Sequence, residues 1–218
     1  MTPEHASDLN AKICALAPVI PVLVVGDAAI SAALARALIA GGLPALEVTL
    51  RTPAALEAIA EMARVPGGVV GAGTLLTAQD VAAAKAAGAS FGVAPGATDR
   101  LLDAAEDHDL PLLPGAATPT EVMRLLERGY RVQKFFPAEV NGGVAALRAL
   151  GAPIPQVSFC PTGGITTGNA PDYLDLANVL CVGGSWIAPA GLVAARDWAA
   201  ITRLAGEAAA LPRRGAMV

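Results

Sequence analysis

The stretch "LPALEVTLRTPAALEAIAEMA", residues 43–63, holds an apolar run, a short polar turn and a helical pattern. In its first half Leu46, Val48 and Leu50 alternate with Ala45, Glu47, Thr49 and Arg51, the two-residue period of a β-strand. In its second half a Thr-Pro start leads into an alanine- and leucine-rich segment that reads as a helix. The unit recurs. Apolar runs also stand at "PVIPVLVV" (18–25), "GGVVGAGT" (67–74), "SFGVAPG" (90–96), "LPLLPGAA" (110–117), "RVQKFFPA" (131–138), "QVSFCPTGG" (156–164) and "VLCVGGSW" (179–186). They are spaced roughly 20 to 25 residues apart, each followed by a helical pattern.

Several of these helices open with a threonine signal, in "TPAALEAIAEMA", "TAQDVAAAKAAG" and "TPTEVMRLLERG". Several close on glycine, in "IAGG", "KAAG" and "LERG". Eight alternating units predict a parallel sheet, and eight is the number that closes a (β/α)8 TIM barrel. An open doubly wound sheet is the rival, but "VVGDAAIS" after the first run has one glycine and no GxGxxG. The expected organisation is a single domain: an extra helix within 1–17, the barrel over 18–210, and a loose tail, "LPRRGAMV", at 211–218. The last helix is expected to cover 189–210.

The chain has 218 residues, 54% of them hydrophobic and 16% charged, which fits one globular domain with a large core. A mean hydropathy of +0.54 suggests apolar surface buried between subunits. The net charge is -4, with no lysine-arginine cluster, which argues against a nucleic-acid or anionic-membrane partner. No apolar run is long enough to span a bilayer, and acidic groups precede the first apolar stretch, so the expectation is a cytoplasmic protein without a secretory signal. Cys14, Cys160 and Cys181 lie far apart in the chain without a CxxC, and read as buried small residues. With His5 and His108 also far apart, no metal ligand set is apparent and no cofactor is expected.

In a barrel the chemistry lies at the C-terminal ends of the strands. Glu47, Arg51, Thr74, Pro95, Lys134, Thr162–Gly164 and Gly183–Ser185 all fall there. Lys134 stands in an apolar strand beside Phe135 and Phe136, where a lysine needs either a route to water or a partner. Glu47 falls on the inward set of its strand, and a carboxylate there is costly unless paired. Four strand residues put Arg51 roughly 13 Å from Glu47, so Lys134 is the better partner. The turns "PTGGI" and "VGGSW" end the last two strands, where barrels commonly hold a phosphate on backbone N–H groups. A lysine amine kept partly neutral can form a Schiff base with a ketone, a carboxylate can move the protons, and an arginine can hold a substrate carboxylate. Together they describe a class I aldolase for a phosphorylated 2-oxo acid.

The motifs "EVTLRT", "VGAGT", "APG", "KFFPAE", "FCPTGGI" and "VGGSW", in this order and spacing, resemble those of the 2-keto-3-deoxy-6-phosphogluconate (KDPG) aldolase family. The resemblance implies that Lys134 forms the Schiff base and that Glu47 is the general acid/base. It further implies that Arg51 binds the pyruvate carboxylate beside Thr74, with Pro95 nearby, and that Phe136 packs on the pyruvyl unit. Thr162 would orient the aldehyde, and Gly163, Gly164, Gly184 and Ser185 would hold the phosphate. It implies a homotrimer, and activity that extends to 4-hydroxy-2-oxoglutarate. A sister aldolase for the galactonate epimer, a non-covalent sugar-phosphate isomerase and a phosphometabolite-binding barrel are the competing expectations.

Overall fold

The computed structural model describes residues 1–214. The strands are β1 Val19–Leu23, β2 Ala45–Thr49, β3 Val69–Gly73, β4 Phe91–Val93, β5 Leu112–Leu113, β6 Gly115–Ala116, β7 Val132–Phe135, β8 Ser158–Pro161 and β9 Val182–Gly184. Every expected run contains a strand, and the run at 110–117 contains two. Pro114 divides it: β5 pairs with β4, whereas β6 pairs with β7. One sheet therefore has the order β5-β4-β3-β2-β1-β9 and the other β6-β7-β8, with all strands parallel. The two sheets meet again on their far edges through parallel bridges from Phe159 to Val179 and from Thr162 to Gly183. The chain is an α/β protein built on parallel strands, with helices between them.

Strand alternation sorts the side chains into two cores. Leu46 and Val48 of β2, with Val70 and Ala72 of β3, join the helices in the larger core. Ile20, Ala45, Phe91, Val93, Leu113, Val132, Cys160 and Cys181 form a second, smaller core on the opposite faces of the strands. The N-terminal helix Pro3–Ala15 covers this smaller core, with Cys14 buried in it and Ala11 and Ile13 packed against it. The three cysteines, remote in sequence, thus meet in space, and the Cys160 and Cys181 sulfurs are 3.5 Å apart. Hydrogen bonding to its neighbouring thiols and then burial push the Cys181 thiol well above its ordinary range.

Thr77 and Thr118 each form a capping box with the acid three residues on, Asp80 and Glu121. Backbone N–H groups, Ala117 first, hold the Glu121 carboxyl below the usual carboxylate range. Gly42, Gly88 and Gly129 adopt the expected left-handed conformation at helix ends. Thr52 departs from expectation. Its hydroxyl donates to the Val25 carbonyl at 2.5 Å, and the helix Ala55–Ala63 begins three residues later without a side-chain cap. The last helix is also interrupted, giving Ala190–Ala194 and Trp198–Ala209. Between them Arg196 has a φ of +53°, and the Asp197 carboxylate caps the second helix through Ala200 N–H. The first half of the expected loose tail is held down. Leu211 packs on the core, Arg213 donates to the Ala15 carbonyl at 2.7 Å, and Arg214 N–H donates to the Leu174 carbonyl at 3.0 Å. Residues 215–218 lie outside the described residues.

Candidate active site

Lys134 lies on β7 and Glu47 on β2, facing each other from the two sheets. The Lys134 Nζ is 3.4 Å from Glu47 Oε1, with the two side chains 6% and 5% exposed. The lysine does not snorkel. Its Nζ also sits 5.1 Å from the centroid of the Phe136 ring, within the range of a cation–π contact. Backbone geometry fixes its origin: Lys134 N–H donates to the Pro114 carbonyl at 2.8 Å, and Lys134 is in register with Gly115 and Cys160.

The neighbouring strand makes room for the pair. A Cβ at Gly73 would collide with the Glu47 carboxylate, so glycine is needed there for steric reasons. The sequence expectation gave Thr74 of "GAGT" a role and its glycines none. The signal was their alternation: Gly71 and Gly73 share one face of β3, and Gly71 yields its space to the Phe91 ring.

Arg51 follows β2 and is exposed, with its Nε 3.4 Å from Thr74 Oγ1. Thr74 has a φ of +63°, a strained conformation for a β-branched residue, directly after β3. Pro95 follows β4, and its backbone approaches Gly115 so closely that a Cβ there would overlap it. An open cleft of about 360 Å³, within the usual size of a small-molecule site, lies at the ends of β1, β2, β7, β8 and β9, and Lys134, Glu47, Thr74 and Pro95 are not part of its lining. Arg51, Phe136, Thr162, Gly163, Gly164 and Ser185 line it. The buried Oγ1 of Thr162 has no hydrogen-bond partner among the described residues. Gly163 and Gly164 have φ of +100° and +80°, which glycine adopts without strain.

The family model for "KDPG and KHG aldolase" matches residues 11–204. The chain belongs to this aldolase family. A KHG/KDPG aldolase of Escherichia coli K12 is 50% identical over 198 residues, covering 90% of this chain and 93% of the relative. The crystal structure of the KDPG aldolase of Zymomonas mobilis ZM4 with 3-phosphoglycerate is 51% identical, with a TM-score of 0.90, covering 95% of this chain and 97% of that one. The Legionella pneumophila KDPG aldolase structure, with pyruvate captured as a covalent carbinolamine, is 44% identical with a TM-score of 0.89, covering 92% and 98%.

In this aldolase the expected phosphate residues divide. Gly163, Gly164 and Ser185 line the cleft, whereas a Cβ at Gly184 would run into the Trp186 ring. Gly183, in contact with Thr162, is the glycine of that turn that lines the cleft. Glu139 lines it too, and sequence reasoning assigned it no role. Among the described residues, no group of three or more His, Cys, Asp and Glu could hold a metal ion. No helix among them is long and apolar enough to cross a membrane.

Proposed function

We propose that this chain is a class I aldolase that cleaves 2-dehydro-3-deoxy-6-phosphogluconate to pyruvate and D-glyceraldehyde 3-phosphate. The observation that carries the reading is the buried Lys134–Glu47 pair, 3.4 Å apart beneath an open cleft. The Lys134 amine attacks the C2 ketone, and loss of water leaves an imine. Once protonated, the imine draws in the electrons of the C3–C4 bond as Glu47 takes the proton of the C4 hydroxyl. The aldehyde leaves, and an enamine of pyruvate remains on Lys134. Glu47 delivers a proton to C3, turning the enamine into the imine of pyruvate, which water then hydrolyses. The dual name of the Escherichia coli relative supports cleavage of 4-hydroxy-2-oxoglutarate to pyruvate and glyoxylate by the same steps.

Arg51 is assigned to the pyruvate carboxylate, with Thr74 beside it and Pro95 nearby, and Phe136 to the apolar side of the pyruvyl unit. Thr162 orients the aldehyde with its unpartnered hydroxyl. Gly163, Gly164, Ser185 and, through its backbone alone, Gly184 take the phosphate, the first two through a turn of consecutive left-handed residues. The two sheets are read as one closed (β/α)8 barrel over 18–210, preceded by the helix within 1–17 and followed by a tail at 211–218. Pro114 and the β8–β9 bridges support that closure. The same reading takes the protein as a cytoplasmic homotrimer, and the apolar composition supports subunit association.

Incubation with pyruvate and borohydride tests the chemistry. One reduced pyruvyl group per chain is expected, on Lys134. Mass spectrometry that finds the group on Lys12 or Lys85, or finds none, would overturn the mechanism.

A further inference from the structure

Outside the residues assigned to the reaction, a group of polar contacts lies directly behind the Gly163–Gly164 turn. Ala138 N–H donates to the Thr162 carbonyl at 2.8 Å, and Glu139 N–H donates to the Gly163 carbonyl at 3.1 Å. A Cβ at Gly164 would stand 2.6 Å from Glu139 Cγ and 2.7 Å from its Cβ, so the methylenes of Glu139 underlie the turn. The carboxylate of Glu139 is in turn held by the Tyr173 hydroxyl, which donates to Oε1. Tyr173 is fully buried in the helix Ala170–Leu174, and burial, then Glu139, pushes its pKa above the ordinary phenol value, so it remains a donor. From the other side, Asn169 Nδ2 donates to the Gly164 carbonyl at 3.1 Å while its Oδ1 accepts from Thr166 N–H at 2.7 Å.

The arrangement poses an electrostatic problem. Glu139 is exposed on the wall of the cleft proposed to receive a phosphate, and a carboxylate near a phosphate repels it. Charge therefore does not explain an acid at this position. A prop does. The side chain spans from the back of the turn to an immobile phenol, and two conformationally free glycines need such a support to keep their N–H groups aimed at one place.

We propose that Glu139 and Tyr173 are positioning residues that hold the Gly163–Gly164 turn in its phosphate-binding shape. Through it they set the preference for phosphorylated over unphosphorylated 2-oxo acids. The inference rests on the aldolase reading of the cleft. It separates two functions of one side chain, since the contact to Tyr173 favours phosphate and the negative charge opposes it.

The test uses three variants and two substrates. Tyr173→Phe removes only the hydroxyl, and should raise KM for the phosphorylated substrate about fivefold, the effect of one lost hydrogen bond. Its kcat, and both constants for 4-hydroxy-2-oxoglutarate, should stay near wild type. Glu139→Ala loses the prop and the opposing charge together, so its KM for the phosphorylated substrate should rise by less than in Tyr173→Phe while staying above that of Glu139→Gln. Glu139→Gln keeps an acceptor for Tyr173 and removes the charge, so its KM for the phosphorylated substrate should equal the wild-type value or fall below it. Equal change on both substrates, no change in Tyr173→Phe, or Glu139→Gln tracking Glu139→Ala would each overturn the proposal. Should Tyr173→Phe fail to fold, the split between the two Glu139 variants decides. Calorimetric binding of inorganic phosphate by the same proteins keeps the two readings apart. A wild type that cleaves neither substrate refutes the aldolase reading, whereas weaker phosphate binding by Glu139→Ala than by Glu139→Gln still supports the prop.

Discussion

Ala45 and Glu47 sit two residues apart on β2, as do Val132 and Lys134 on β7 and Cys160 and Thr162 at the end of β8. In each pair the first residue belongs to the small apolar core closed by the N-terminal helix. The second lies at the layer of the buried Lys134–Glu47 pair and of the Thr162 hydroxyl, which has no partner among the described residues. The strands, their parallel pairing and their burial are common to both layers. The difference teaches that strand periodicity delivers chemistry to one level only. Each polar group there would be costly alone, and the apolar layer below offsets that cost. Full burial of Phe91 alone contributes about 1.5–3 kcal/mol.

The largest expected effect comes from removing the amine of the reactive layer. Lys134→Ala should abolish both cleavage and borohydride trapping of pyruvate. It should also lower stability by about 3–5 kcal/mol in chemical denaturation, because Glu47 would remain buried without its partner. Trapping that persists in this variant would break the assignment. Glu47→Gln comes next. It keeps the shape of the side chain but cannot accept a proton, so exchange of the pyruvate methyl protons with deuterated water should fall by roughly 10² to 10⁴. Trapping on Lys134 should slow less. Exchange near the normal rate would remove Glu47 from proton transfer. The smallest effect on chemistry is expected from the apolar layer. Phe91→Ala should cost about 3–5 kcal/mol of stability while turnover of the folded fraction stays near wild type. If turnover collapsed with stability, the two layers would not be separable.

Local chemistry made most of the scaffold legible. Apolar runs revealed the strands, and threonine followed at the third position by an acid marked the starts at Thr77 and Thr118. Lys134 and Glu47 stood out because a charge on the inward face of an apolar strand demands a partner, and each supplies what the other needs. The misses are positions where a distant segment competes for a local group. Thr52 gives its hydroxyl to Val25 instead of capping its own helix. The break at Arg196 depends on one residue in a left-handed conformation, within a segment whose alanine-rich pattern runs straight through. Trp186 takes the space beside Gly184, which no reading of "VGGSW" reveals. Glu139 and Tyr173 are separated by 34 residues and meet only because β7 and β8 are neighbours.

The helix Pro3–Ala15 has a consequence for traffic. With Ala11, Ile13 and Cys14 set against the apolar layer below Lys134 and Glu47, substrate in the aldolase reading reaches the pair from the cleft. On that reading the keto acid reaches the buried Lys134 while its phosphate rests on the Gly163–Gly164 turn in the cleft wall. After the carbon–carbon bond breaks, again on that reading, the phosphorylated aldehyde is free while the pyruvyl fragment is still bonded to the lysine. The aldehyde must leave before pyruvate can. On the aldolase reading the covalent bond to Lys134 sets the order of departure, because it holds the pyruvyl unit until the enamine is protonated and the imine hydrolysed.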